Sequence, residues 1–194
     1  MLRLHGMVRS RAMRTLWLLE ELEVEFEWRE VGPRSPEAYA LNPKGTIPIL
    51  ETDEGVILDS LAQMHFLADR EGRFTHPAGS LARGTQDAMS FTVLEMLDAP
   101  LWAMALHGFG LPEDKRVPEV KDASRWLVGH NSTRVADLMD GPYAVGEVPT
   151  VADIVLAHCT GWARGLKIEV DERLRDHARM MRDRPAFQRA AARG

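Results

Sequence analysis

Two short stretches carry residues with ligand-binding chemistry, and the first is Ile47-Pro48. This pair stands before an apolar run that is typical of a β-strand. If the bond were cis, the chain would turn sharply and the backbone N–H and C=O of Ile47 would face outward, free to pair with a peptide-like ligand. The trans form of an X-Pro bond is the commoner one. The dipeptide alone therefore predicts an ordinary trans bond.

The second stretch is Asp59-Ser60, at the junction of a predicted strand and a predicted helix. The first turn of a helix offers unpaired N–H groups and a partial positive charge, which together suit a carboxylate. Taken alone, Ser60 is expected to be a simple helix N-cap, and Asp59 could be only a turn residue. The two residues are candidates for holding an acidic ligand group.

Ser10 stands at the start of the first predicted helix, where it is a plausible N-cap. The single cysteine, Cys159, lies far from it inside an apolar helical stripe and is interpreted as a small core residue. Disulfide exchange by a thiol of the protein is therefore not expected. The seven histidines form no His-x-x-x-His pair and no cluster with cysteine, so we expect no metal site.

The elements that must position these residues alternate between strand and helix. Apolar residues spaced by three and four predict a helix after Ser10, and "IPIL" and "GVIL" predict a hairpin joined by "ETDE". The full predicted order is a strand at Met1–His5, this helix with Ala12, Leu16, Leu19 and Leu22 on one face, a strand in "EFEWREV", a short helix from Ser35 or Pro36, the hairpin, and a helix opened by Ser60. This order predicts an α/β unit.

Every pattern after a Gly-, Pro- and Ser-rich linker at about 75–82 is helical. We therefore predict an α/β domain over 1–74 and an all-helical domain over 83–194. Pro100 is expected to bend the first long helix, and the region "VPEVKDASRWLVGHNSTRVADLM" predicts one helix or a pair. Thr150 and Asp153 form a capping-box pattern before an apolar stripe, and replacing either by alanine is expected to cost about 1 kcal/mol of stability.

The composition restricts the class of function. The chain has 194 residues, 45% of them hydrophobic, a net charge of −5 and no long basic run, which argues against a general nucleic-acid binder. The first residues lack the pattern of a secretory signal, and no apolar run approaches the roughly 20 residues of a membrane span. A cytoplasmic protein without membrane or nucleic-acid partners is expected.

Four motifs in register resemble cytosolic glutathione S-transferases over nearly the whole chain, and the bacterial serine-type members in particular. They are "SRAMRTLWLLEELEVEFE", "NPKGTIPIL" with Asp59-Ser60, "PTVADIVLAH" and "RPAFQRA". The resemblance implies an α/β thioredoxin-like N-terminal domain (β-α-β-α-β-β-α) followed by an all-α C-terminal domain, and a homodimer. It also implies that Ile47-Pro48 is cis.

The resemblance implies glutathione as co-substrate, no metal, and a small hydrophobic electrophile as second substrate, as in detoxification. Ser10 would donate a hydrogen bond to the glutathione sulfur and favour its thiolate. The remaining implied contacts come from the backbone before Pro48, which would pair with the cysteinyl part, and from Asp59 and Ser60, which would hold the γ-glutamyl end. The glutathione-binding residues so implied are Thr46, Ile47, Pro48, Asp59 and Ser60.

The chain departs from the family pattern at three positions. Ala12 stands where a second serine is frequent, Thr46 where a basic residue is usual, and Asp59 where glutamate is usual. Arg9 and Arg11 either add positive potential beside Ser10 or are solvated surface. A non-catalytic binding or regulatory protein with the same fold, and a glutathione-dependent peroxidase or isomerase, stay open as alternatives to a conjugating transferase.

Overall fold

The computed structural model describes all residues from Met1 to Gly194. Its sheet has four strands in the order β2-β1-β3-β4. β1 and β2 are parallel, with Leu4 opposite Trp28, whereas β3 and β4 each run antiparallel to their neighbour. The strands are β1 at Leu2–Gly6, β2 at Phe26–Glu30, β3 at Ile49–Thr52 and β4 at Gly55–Leu58.

Three helices alternate with these strands, and the resulting β-α-β-α-β-β-α order confirms the predicted thioredoxin-like domain. The helices are α1 at Ala12–Leu22, α2 at Pro36–Leu41 and α3 at Ser60–Glu71. α2 begins as the sequence predicts, with Ser35 as its N-cap and Pro36 as its first residue. The hairpin turn is shorter than predicted, because Glu51 and Thr52 belong to β3.

All eleven residues of α1 are buried, although its sequence pattern predicts a single apolar face. The cause is that α1 packs against α3 and also against the last helix of the chain, α9 at Pro185–Ala191. The rings of Trp17 and Phe187 meet edge-on with their centroids 4.8 Å apart. Polar residues of α1 therefore lie in the core.

The rest of the chain is helical, as predicted. Residues 117–139 contain one helix rather than a pair. The elements are α4 at Leu81–Val93, a π-helical turn at Leu94–Asp98, α5 at Ala99–Ala105, a second π-helical turn at Leu106–Gly110, a 3₁₀ turn at Glu113–Lys115, α6 at Pro118–Leu138, α7 at Val151–Gly165 and α8 at Glu172–Arg182.

Pro100 explains the distorted turn that precedes it. Proline has no N–H to donate back along the helix, so a carbonyl in the preceding turn loses its partner. The side chain of Asn131 in α6 supplies a replacement, since its Nδ2 donates to the Met96 carbonyl at 2.9 Å. The expected bend at Pro100 thus takes the form of a π-helical turn closed by a side chain from another helix.

The chain divides into two compact units, and the last helix does not follow the sequence-based limits. The first unit is Met1–Ala78 together with Arg182–Gly194, and the second is Gly79–Met181. The predicted helical domain, 83–194, included α9, whereas the structure places α9 on α1 in the first unit. The division itself falls within the predicted linker at 75–82.

Ion pairs hold the C-terminal segment on α1. The Arg184 guanidinium donates to both carboxylate oxygens of Glu21, at 2.6 and 2.8 Å. Arg189 and Arg193 both donate to the carboxylate of Glu20, each at 2.8 Å. Both glutamates are only 7% exposed, whereas the side chains of Arg184, Arg189 and Arg193 are 31%, 49% and 39% exposed. Removing an arginine would therefore leave a buried carboxylate without that partner, which is the costly change in such a pair.

The helical run Leu81–Gly110 is 30 residues long and contains an 18-residue window of mean hydropathy 1.2. By length and composition alone it could cross a membrane, contrary to the expectation that no run comes near that size. Half of that window is buried inside the structure, and a buried core helix meets the same two criteria.

Candidate functional site

Ser10 lies in the turn between β1 and α1. Its hydroxyl donates to the Met7 carbonyl at 2.7 Å, and its oxygen accepts the N–H of Ala12 at 3.1 Å. The capping position of α1 is Arg11, one residue beyond the expected N-cap at Ser10, yet the serine oxygen still binds an N–H of the first turn. Ser10 is half-buried, whereas Arg9 is exposed. Its hydroxyl hydrogen must turn away from Met7 to reach a ligand.

The loop before β3 is held by Asn42, which is 1% exposed. Its Nδ2 donates to the carbonyl and to the hydroxyl of Thr46, both at 2.8 Å, and its Oδ1 accepts the N–H of Lys44 at 3.1 Å. Gly45 has a φ of 60°, and a Cβ there would lie 2.6 Å from the ring of Tyr39. Thr46 is exposed. The hydrogen bonds of Asn42 hold its backbone in place.

The Ile47-Pro48 bond is cis, as the resemblance implies. Ile47 is half-buried and Pro48 is buried at the entrance to β3. The Pro48 carbonyl accepts a hydrogen bond from Nε2 of Gln63 in α3, at 3.1 Å. The turn is thereby tied to the helix that starts at Ser60.

At the start of α3 the two adjacent polar residues have different roles. Asp59 is the N-cap, since its Oδ1 accepts the N–H groups of Leu61 at 2.8 Å and Ala62 at 3.1 Å. It is exposed and has a φ of 73°. Ser60, which sequence reasoning considered as the cap, is instead the first helical residue and is buried. Both residues thus lie at the positively polarised end of a helix.

Arg14 of α1 reaches Ser60, and sequence reasoning missed it. Its side chain is completely buried, and Nη1 donates to the Ser60 hydroxyl at 3.5 Å. Arg14 follows Ser10 by four residues, so the start of α1 and the start of α3 are linked across the first unit. A buried cation beside Ser60 adds to the positive end of α3, and both favour an anion there.

Thr15 and Gln63 are the other functional candidates that the sequence did not reveal. Both are completely buried, and the Thr15 hydroxyl donates to Oε1 of Gln63 at 2.7 Å. The signal that could have found them is a polar residue at a core position of each helix. Gln63 therefore links Pro48 to α1, and Arg14 links Ser60 to α1.

The structure contains no group of three or more His, Cys, Asp or Glu side chains that could hold a metal ion. Cys159 is buried, with its Sγ 3.9 Å from Oδ1 of Asp98. Two cavities of the first unit, of about 760 and 420 Å³, are lined by residues other than the candidates named above.

Residues 9–70 match the family model of the glutathione S-transferase N-terminal domain. The sequence of this segment is therefore similar to the glutathione S-transferase N-terminal domain. This segment contains all the candidate residues, from Ser10 to Ser60.

Three curated relatives are similar to parts of the chain. The maleylacetoacetate isomerase of Rhizobium meliloti (strain 1021) is 28% identical over 132 residues, which are 63% of this chain and 60% of that protein. Glutathione S-transferase 3 of Schizosaccharomyces pombe is 35% identical over 40% of this chain and 34% of its own length. Elongation factor 1-gamma 3 of Oryza sativa subsp. japonica is 31% identical over 70% of this chain and 32% of its own length.

Solved structures share the fold over almost the whole chain. The glutathione transferase of Methylococcus capsulatus str. Bath has a TM-score of 0.86 at 22% identity and covers 100% of this chain and 98% of its own. The theta class glutathione S-transferase of Xanthomonas axonopodis pv. citri, solved with glutathione bound, has a TM-score of 0.79 at 23% identity and covers 98% and 96%. The fold of the whole chain is that of glutathione transferases.

Proposed function

We propose that the protein is a glutathione transferase that joins the glutathione thiolate to a small hydrophobic electrophile. The observation that carries the proposal is that the segment matching the glutathione S-transferase N-terminal domain contains every candidate residue, on elements that meet through buried polar contacts. In this proposal the γ-glutamyl end of glutathione binds at Asp59 and Ser60, and the backbone of Ile47 pairs with its cysteinyl part.

Ser10 has the central role in the proposed chemistry. Free thiols titrate near pH 8.5, so the bound thiol must be made more acidic to react at neutral pH. A hydroxyl hydrogen bond and the N-terminal dipole of α1 can together favour the thiolate by about 1 to 3 kcal/mol, which lowers the thiol pKa by roughly one to two units. The sulfur then attacks the electrophilic carbon, its electron pair forms the S–C bond, and the leaving group departs with the bonding pair.

Replacement of Ser10 tests the proposal. We expect Ser10→Ala to raise the pKa of bound glutathione and to slow conjugation of an electrophilic aromatic halide about ten- to a hundredfold at pH 7. Ultraviolet absorbance of the thiolate across a pH series measures the pKa. Ser35→Ala is the matched control, because Ser35 caps α2 in the same unit through the N–H of Ala38. An unchanged titration and rate in Ser10→Ala would leave Ser10 as a structural residue only.

A glutathione-dependent isomerase is the second candidate, and the match to a maleylacetoacetate isomerase favours it. In an isomerase the glutathione sulfur would add to the substrate and leave again, so no glutathione is consumed. Loss of free thiol during turnover distinguishes the two reactions: conjugation consumes it in step with product, and isomerisation does not. Maleylacetoacetate and an aromatic halide are the two substrates to compare.

A binding protein without catalysis is the third candidate, which the match to an elongation factor 1-gamma supports. Retention on immobilised glutathione with no turnover of either substrate would favour it. The intact Ser10 hydroxyl at the start of α1 argues for the enzymes.

The proposal also includes a homodimer. Each unit exposes large apolar side chains that a second subunit could cover, among them Phe66 of α3 at 38% and Phe91 of α4 at 58% exposure. Sedimentation velocity at micromolar concentration should give twice the mass of the chain, and a single monomeric species would refute this part.

A further inference from the structure

Gln63 makes three hydrogen bonds from a completely buried position in α3. Its Nε2 donates to the Pro48 carbonyl at 3.1 Å and to the Ile57 carbonyl at 2.8 Å, and its Oε1 accepts the Thr15 hydroxyl at 2.7 Å. These partners fix the orientation of the amide, because a flipped amide would set its oxygen against two carbonyl oxygens. Both amide hydrogens and one oxygen lone pair are used.

These bonds connect four separate parts of the first unit. Gln63 joins α3 to α1 through Thr15, to the loop before β3 through Pro48, and to the edge strand β4 through Ile57. An apolar side chain would fill the same core position without the cost of burying an amide. The bonds to the loop and to β4 offset that cost.

We infer that Gln63 is a positioning residue for glutathione, which it does not itself touch: it holds the Pro48 carbonyl and thereby fixes the Ile47-Pro48 backbone. The inference rests on the proposed function, in which this backbone pairs with the cysteinyl part of the ligand. Without the amide, the Pro48 carbonyl has no donor from α3, and the loop spends less time in the binding-competent arrangement. The apparent affinity then falls by the competent fraction.

The direct test is Gln63→Met, which keeps the length of the side chain and removes both donors. We expect the Kd and KM for glutathione to rise about tenfold, with kcat and the thiol pKa of bound glutathione nearly unchanged because Ser10 is untouched. Gln86→Met is the matched control: Gln86 is a completely buried glutamine of α4, in the second unit. Equal glutathione affinities for the two variants would overturn the inference.

Thr15→Val keeps the inference testable if Gln63→Met does not fold. Valine matches threonine in shape, so this variant removes only the donor that orients the amide. Alone, this variant should raise the Kd by a smaller factor, about threefold, and an unchanged Kd would overturn the inference. Where Gln63→Met folds, the double variant should show no further rise, since both changes act through one contact. Additive effects in the double variant would contradict the assigned contact.

A readout without ligand separates this inference from the proposed function. Amide hydrogen exchange of Thr46 and Ile47 should be faster in Gln63→Met than in the unaltered protein and in Gln86→Met. If exchange is faster but the unaltered protein does not bind glutathione, the proposed function fails and the ligand role of Gln63 fails with it. If the unaltered protein binds and exchange is unchanged, only the inference fails.

Discussion

Asp153 is expected to contribute more to stability than its place in a capping box predicts. It is the third residue of α7, and its carboxylate is completely buried. Oδ2 accepts the Thr150 N–H at 2.8 Å and the Thr150 hydroxyl at 3.1 Å, whereas Oδ1 accepts the Ala144 N–H at 2.7 Å and lies 2.8 Å from Nε2 of His177. One side chain thus joins the cap of α7, the loop before it and α8.

The size of each stability loss depends on how many buried hydrogen-bonding groups the substitution leaves without a partner. Asp153→Ala leaves two buried backbone N–H groups without an acceptor, each costing about 1 to 3 kcal/mol, and removes the partner of a buried histidine. We expect a loss of about 3 to 5 kcal/mol in the free energy of unfolding. Thr150→Ala removes one hydroxyl donor and keeps its own N–H bond, so about 1 kcal/mol is expected. The sequence pattern alone predicts equal effects.

Urea denaturation followed by far-ultraviolet circular dichroism measures both losses. Ser80→Ala is the control, because Ser80 caps α4 in the same unit, where its hydroxyl oxygen accepts the N–H of Arg83 at 3.1 Å. The stability loss in Asp153→Asn should be intermediate, because the asparagine side chain has one acceptor oxygen and can bind the N–H of Ala144 or of Thr150 but not both. A midpoint for Asp153→Ala no lower than that of Ser80→Ala would refute the reasoning.

Two further substitutions test buried polar contacts elsewhere. Arg184→Ala removes both bonds to the buried Glu21 and should lower the free energy of unfolding by about 2 to 3 kcal/mol, whereas Arg179→Ala, from an exposed ion pair, should have almost no effect. Equal thermal melts would contradict this. Asn131→Leu leaves the Met96 carbonyl without its donor and should cost about 1 to 2 kcal/mol; an unchanged melt would mean that another donor replaces it.

The sequence was sufficient for most of the elements of the first unit. The apolar spacing of Ala12, Leu16, Leu19 and Leu22 predicts α1, because a helical period of 3.6 leaves one face apolar, although the helix starts one residue later than the expected cap at Ser10 implies. The burial of its opposite face could not be predicted. That face is covered by α9, which follows more than 160 residues later in the chain. From the sequence alone, Glu20 and Glu21 of this face are expected to be solvated. Only the structure shows that arginines of the C-terminal segment bind them, namely Arg184, Arg189 and Arg193.

The candidate site was only partly predictable for a related reason. Serine and aspartate are both good N-caps, so their order in Asp59-Ser60 does not say which of them caps α3. The backbone decides, since the helix begins at Ser60 and a φ of 73° falls on Asp59. Gln63 and Arg14 were missed because their partners are carbonyls and hydroxyls on other elements, and no local spacing reports such contacts.

Asp59 combines a structural role and a proposed ligand role that one substitution can separate. Its Oδ1 caps α3, while Oδ2 takes no part in those bonds. Asparagine keeps an acceptor oxygen and tolerates a positive φ. It removes the negative charge of Asp59, which in the proposed function pairs with the ammonium group at the γ-glutamyl end of glutathione. We therefore expect the free energy of unfolding of Asp59→Asn to lie within about 0.5 kcal/mol of that of the unaltered protein. We expect the variant to bind glutathione about tenfold more weakly.

Asp59→Ala is the matched comparison, since it loses the charge and the cap together. Its alanine must also adopt the φ of 73°, so a loss of about 2 kcal/mol in stability should accompany the weaker binding. Calorimetric titration with glutathione and urea denaturation measure the two effects separately. If Asp59→Asn binds glutathione as tightly as the unaltered protein, the carboxylate only caps the helix. The anion site at Ser60 would then consist of the N-terminal end of the α3 dipole and the buried Arg14 charge.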